Sequence, residues 1–204
     1  MKLRVAVLLS GSGTTLQNIL DQGAAGTLDA EVVCVVSSRS SAYGLERAAQ
    51  HGIPTKTVTA RDFPDVAARG EAIWDFVRGH HVDLVVLAGY MSLITVPKDF
   101  ENRIINVHPA LIPAFSGQGM YGHHVHEAVV QYGAKISGAT VHFVDDAYDH
   151  GPIIMQESIP VQDDDTADSL AERIQALERK LYPKAIQMIA EGRVRVEGRR
   201  VHIR

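Results

Sequence analysis

Cysteine occurs once in the 204 residues, so no disulfide can form within the chain. Its setting, Val32-Val33-Cys34-Val35-Val36, reads as a buried strand, with a reactive thiol as the lesser alternative. Long apolar runs are also missing. After Met1-Lys2-Leu3-Arg4, the run Val5 to Leu9 is too short for a signal-peptide core or a membrane span. The expectation is a cytoplasmic protein with no membrane partner. Nor is positive charge in excess: 20 Lys and Arg against 24 Asp and Glu leave a net charge of −4. That balance offers polynucleotides no long-range attraction, although a local basic pocket for a small phosphate remains open. With 46% hydrophobic and 22% charged residues the chain is ordinary for a folded protein, and its length suits one domain.

What is present is an alternation. Val5 to Leu9 is an apolar run ending in Ser10-Gly11-Ser12-Gly13, after which Leu16, Ile19 and Leu20 recur at helical spacing. The pattern returns as a strand from Glu31 to Val36 and a helix around Leu45 to Gln50, closed by Gly52. An extended piece, Thr55 to Thr59, leads to a helix through Ala72, Ile73, Phe76 and Val77. Apolar strands follow at Leu84 to Leu87 and Ile104 to Val107. Strands without polar alternation, separated by amphipathic helices, predict an α/β fold: an open, mostly parallel twisted sheet with helices on both faces.

Beyond Pro109, prolines and glycines predict a long, ligand-facing loop, then a helix from about His123 to Tyr132. Ser137 to Val144 and Ile153 to Val161 read as strands joined through Asp149-His150-Gly151-Pro152. Asp163-Asp164-Asp165-Thr166 opens a last helix with Leu170, Ile174, Leu177, Leu181 and Ile186 inward, and Val194 to Ile203 alternates as a terminal hairpin.

Ser10 to Thr15 lies at a strand-to-helix junction, where free backbone N–H groups and the helix dipole suit an anion. A tight turn without a ligand is the alternative. A dinucleotide fingerprint fails because Leu16 occupies its third glycine position and no acid ends the second strand. A nucleoside-triphosphate loop fails for want of a suitably placed Lys. A phosphate monoester remains. Asn106 and His108 occupy alternate positions at the end of a buried strand and so project to one side. A structural, hydrogen-bonded His108 is the alternative, and the separate Asp149 in a glycine turn weighs against it. His123, His124 and His126 lack a complete ligand set at usual spacing, so no metal is expected.

The segments Asn106-Val107-His108-Pro109-Ala110-Leu111-Ile112-Pro113, Gly138-Ala139-Thr140-Val141-His142-Phe143-Val144 and Asp149-His150-Gly151-Pro152-Ile153-Ile154 resemble the folate-dependent formyltransferase family, from about residue 3 to 190. The opening Ser10-Gly11-Ser12-Gly13-Thr14-Thr15-Leu16-Gln17 is similar to the phosphate loop of its glycinamide ribonucleotide branch. The resemblance implies a single Rossmann-like domain. Its part to about residue 100 would bind the nucleotide phosphate, about 101–190 would carry the catalysis and the folate loop, and 191–204 would form the hairpin.

It further implies direct transfer of a formyl group from 10-formyltetrahydrofolate, a cosubstrate, to the substrate amine through a tetrahedral intermediate. Asn106, His108 and Asp149 would be catalytic, with Asp149 paired to His108. Gly11, Ser12, Gly13, Thr14, Thr15 and Glu178 would hold the nucleotide, and Met91, Ser92, Leu93, Ile94 and Asn106 the folate. Thr140 and His142 would orient the Asp149 turn. Only small molecules are expected as partners of a monomer or homodimer.

Three departures from the family pattern stand out. Val66 occupies a position that is often basic, so Arg61 or Arg69 would have to substitute. Ser92 replaces a frequent Arg, and the 115–124 loop is long. A formyltetrahydrofolate hydrolase is the nearest rival; Pro109 stands where the hydrolases tend to repeat histidine. A non-catalytic sensor with the same fold is the rival of another class.

Overall fold

The computed structural model describes residues 1–204. Seven strands form one sheet: β1 (Leu3–Leu9), β2 (Ala30–Ser37), β3 (Thr55–Thr57), β4 (Leu84–Ala88), β5 (Ile104–His108), β6 (Ile136–Phe143) and β7 (Ile153–Pro160). Their hydrogen-bonded order is β3-β2-β1-β4-β5-β6-β7. The helices are α1 (Thr14–Ala24), α2 (Tyr43–Gln50), α3 (Val66–Gly79), α4 (His123–Tyr132) and α5 (Ala167–Ala190), and β8 (Val194–Glu197) pairs with β9 (Arg200–Ile203) as a separate hairpin. The chain divides into two compact units, Met1–Ile105 and Asn106–Arg204.

In the first unit β1 runs parallel to both β2 and β4, and β2 parallel to β3. Val5 to Leu9 are wholly buried, which explains why this strand has no polar alternation. From β1 the chain goes to β2 and β3 on one side, then returns to β4 on the other. Open sheets take ligands at such a reversal, beyond the carboxyl ends of the strands on either side, here β1 and β4. Leu16 and Ile19 are the buried face of α1, and Ile73, Trp74 and Val77 that of α3. Trp74, which the helical spacing does not single out, stacks on Phe100 at 5.0 Å between centroids and donates its indole N–H to the Thr95 carbonyl at 3.0 Å. It thereby pins the segment that follows β4.

In the second unit β6 and β7 are antiparallel, so the sheet is mixed rather than parallel throughout. Thr166 caps α5, accepting from the Ser169 N–H at 3.2 Å while Ser169 Oγ accepts from the Thr166 N–H at 3.0 Å. The stripe of Leu170, Ile174, Leu177, Leu181 and Ile186 is buried, each fully buried side chain contributing roughly 1.5–3 kcal/mol. Leu170 and Ile174 join Val129 of α4 in a core on which Phe115 packs. Pro183 lies within α5, where its ring removes one backbone donor, an interruption the apolar stripe does not signal.

Candidate active site

Gly13 precedes α1 with φ 70°, and no side chain caps this helix end. Its first N–H groups are therefore left for another acceptor, and an anion is the natural one. Gly11, Ser12 and Thr14 are exposed, Thr15 is half-buried and Gly13 is buried. A Cβ on Gly13 would lie 2.6 Å from Gly44 Cα of α2, whereas one on Gly11 would meet nothing within 4 Å. Close packing against α2, together with the left-handed backbone, demands glycine at 13. Buried Ser10 ties three segments together: its hydroxyl shares a hydrogen bond with Ser38 Oγ at 2.5 Å and accepts from the Met91 N–H at 2.8 Å. The segment expected to hold the folate is thus bonded to the root of the glycine loop. Within it Met91 and Leu93 are exposed, Ser92 half-buried and Ile94 buried.

The basic group at this loop is Arg47. Its Nε donates to the Ser12 carbonyl at 2.9 Å and its Nη1 to Gln17 Oε1 at 3.1 Å. Arg61 is exposed, and Arg69 is buried with Nη1 directed to the Phe63 carbonyl at 3.3 Å. The sequence reading offers Arg61 or Arg69 in place of a basic residue at 66 and does not single out Arg47. The available signal was its place on the helix after β2, where no spacing rule links it to residue 12.

In the second unit four polar side chains converge, His108 and His142 buried and Asn106 and Asp149 half-buried. Asn106 Nδ2 lies 3.3 Å from His142 Nε2, while His142 Nδ1 lies 2.8 Å from the Phe143 carbonyl. The carbonyl can only accept, so Nδ1 carries the proton and Nε2 accepts from Asn106. Burial pushes the His142 pKa below its usual value, with the Phe143 carbonyl and Asp149 opposing, and so favours this neutral ring. His142 Nε2 is 3.8 Å from Asp149 Oδ1, and Asp149 Oδ2 is 3.4 Å from His108 Nδ1. His108 Nε2 lies 2.8 Å from the Phe115 carbonyl. A carbonyl can only accept, so Nε2 carries a proton, and Nδ1 faces the Asp149 carboxylate. With Nε2 tied to Phe115, the ring edge left for chemistry is Nδ1, beside Asp149.

The long loop after β5 supplies the backbone that holds this group. Gly117 donates its N–H to Asp149 Oδ2 at 3.0 Å, and Phe115 presents its carbonyl from a left-handed backbone with φ 49°. Such a conformation costs a non-glycine residue of order 1–3 kcal/mol. Packing of the Phe115 ring on the α4–α5 core and on Tyr132, 5.8 Å between centroids, offsets it. Thr140 has a different place from the one expected. Its hydroxyl donates to the Ala110 carbonyl at 2.7 Å and accepts from the Ile112 N–H at 3.1 Å, so it fixes the start of the loop rather than the Asp149 turn. A third partner, Gln156 of β7, donates its Nε2–H to the same hydroxyl at 2.9 Å, and none of the three lies in the β6–β7 connection. His142 does face Asp149, and in addition it orients Asn106. Of the three α4 histidines, His123 and His124 pair with Glu127, at 3.6 and 3.2 Å. Glu178 is half-buried on α5.

The first unit carries an anion-ready loop at the reversal of a parallel sheet, and the second brings together an amide, two imidazoles and a carboxylate; each feature suits an enzyme of the open α/β class. Residues 3–186 match the formyl transferase family, and the chain belongs to that family. It is 36% identical to phosphoribosylglycinamide formyltransferase of Haemophilus influenzae, covering 95% of this chain and 90% of that one. The solved glycinamide ribonucleotide transformylase 1 from Symbiobacterium toebii superposes with a TM-score of 0.92 at 44% identity, covering 99% of this chain and 94% of that one. The bovine trifunctional purine biosynthetic protein adenosine-3 is 37% identical over 96% of this chain, which spans only 19% of that protein. No helix is long and apolar enough to cross a membrane.

Proposed function

We propose that the chain transfers the formyl group of 10-formyltetrahydrofolate to the amine of 5'-phosphoribosylglycinamide, giving formylglycinamide ribonucleotide and tetrahydrofolate. The observation that carries this reading is the convergence of Asn106, His142, Asp149 and His108, each 3.3–3.8 Å from the next. The amine lone pair attacks the formyl carbon and the carbonyl electrons move onto oxygen. The Asn106 amide and the His108 Nδ1–H are the donors for that oxyanion, each worth about 3–4 kcal/mol in such a role. As the intermediate collapses, the bond from carbon to the folate nitrogen breaks; that nitrogen gains a proton as the amine loses one. Asp149 organises this exchange beside His108. Because the amine is itself the nucleophile, neither an acyl-enzyme nor a metal is required.

The substrate phosphate takes the N–H groups of Gly11, Ser12, Gly13, Thr14 and Thr15, with Arg47 adding positive potential, and Glu178 contacts the nucleotide. Met91, Ser92, Leu93 and Ile94 hold the folate. The enzyme works in the cytoplasm on small molecules alone, as a monomer or homodimer.

A turnover assay with both substrates tests the reading. Release of tetrahydrofolate that depends on the amine supports it. Release without the amine indicates a hydrolase, and binding without turnover indicates a sensor. Asp149→Asn keeps an oxygen for Gly117 but loses the charge, and is expected to lower kcat about 100-fold or more, with an unchanged far-UV circular dichroism spectrum. Near-normal kcat in that variant excludes the mechanism.

A further inference from the structure

Asp149 reaches His108 from the connection between β6 and β7, and it does so with a left-handed backbone, φ 52°. At the base of this connection the Phe143 N–H donates to the Pro152 carbonyl at 2.8 Å. Gly151 lets the two strands cross there, since a Cβ would lie 1.8 Å from the Phe143 carbonyl oxygen. From 144 to 150 the holding bonds come from side chains. Asp145 Oδ1 accepts from the Ala147 N–H at 3.0 Å, and Asp145 Oδ2 lies 2.7 Å from His150 Nδ1. Arg199 then holds the residue next to Asp149: Nη2 donates to the His150 carbonyl at 2.7 Å, and Nη1 rests against the His150 ring, 3.0 Å from Nε2 and 3.4 Å from Nδ1.

Arg199 owes this reach to the terminal hairpin. Glu197 pairs with Arg200 across a two-residue turn in which Gly198 takes φ 58°, leaving Arg199 at the outer corner. The other end of the hairpin is also closed, with the Arg204 N–H donating to the Arg193 carbonyl at 3.0 Å. A planar guanidinium can donate to a carbonyl through one nitrogen while it rests on the ring of the same residue, which a lysine ammonium does less well.

We propose that Arg199 is a positioning residue for formyl transfer: by fixing His150 it sets the backbone of Asp149 and hence the carboxylate beside His108. This rests on the catalytic reading of Asp149 given above. Arg199 and His150 are both exposed, so the grip adds little to overall stability, whereas the chemistry depends on the placement of one carboxylate. A displacement of 1 Å in such a group can cost about 100-fold in rate.

Steady-state and single-turnover kinetics of Arg199→Ala, Asp149→Asn and the double variant test this. Arg199→Ala is expected to lower kcat roughly tenfold, part of the full cost of misplacement. The KM for 5'-phosphoribosylglycinamide and the thermal midpoint should stay near the wild-type values. Arg199→Lys, which keeps one donor for the His150 carbonyl, should recover part of the rate. In the Asp149→Asn background Arg199→Ala should cost nothing further. An impaired Asp149→Asn beside an unimpaired Arg199→Ala overturns this proposal alone, as does an equal loss in both backgrounds. Full activity of Asp149→Asn removes the catalytic reading and this inference with it.

Discussion

Glu178 loses water on folding, and its carboxyl is pushed up from 4.5 to about 7 by that desolvation, against a smaller opposing pull from Arg179. A raised pKa means that the folded state holds the proton more tightly than the unfolded chain. The resulting stability is fully present below about pH 4.5 and is lost as pH rises through about 7. Part of the side chain still meets solvent, so the cost above that pH is of order 1–2 kcal/mol, less than the shift alone would give. Glu178→Gln should therefore melt a few degrees above wild type at pH 8 and level with it near pH 4.5. Thermal melts across that range decide the matter; a gap independent of pH rules out desolvation as the cause. Desolvation likewise lowers the His142 pKa, which favours the neutral ring that accepts from Asn106.

The glycine loop and α1 form one element with two different demands for glycine. At Gly13 the demand is internal, because α2 passes too close for a side chain. At Gly11 nothing in the protein occupies the space, so a side chain there would meet only a ligand. Gly13→Ala should lower the thermal midpoint, with strain and overpacking together worth about 1–3 kcal/mol. Gly11→Val should leave the midpoint unchanged and raise the KM for the phosphorylated substrate about tenfold. The reverse pattern in paired melts and kinetics would remove the phosphate from this loop. Spacing alone revealed the loop, since an apolar strand, paired glycines and a helical stripe are all local signals. It did not reveal why residue 13 is glycine, because Gly44 lies on another helix. The 115–124 loop was legible as a loop but not as the support of His108 and Asp149, a task done by backbone groups that any residue carries.

For the whole molecule, a ligand that binds only the folded state raises its stability by mass action. 5'-Phosphoribosylglycinamide at a hundred times its Kd should add about 2.7 kcal/mol and move the midpoint by about 5–10 °C. Glycinamide without the ribose phosphate should produce no comparable shift in the same fluorescence melts. Equal shifts would mean that the phosphate contributes no binding.

The alternation of apolar runs and amphipathic stripes determined the strands, the helices and the mostly parallel sheet, since period and burial on both faces are properties of adjacent residues. The resemblance of a few segments added the family and the names of Asn106, His108 and Asp149. Only the tertiary structure decided that His142 bonds Asn106, that Arg47 stands at the glycine loop, and that Arg199 reaches His150. Each of those contacts joins residues 35 or more positions apart. Hydrogen bonds across such separations depend on where folded elements bring side chains, and no local pattern encodes that.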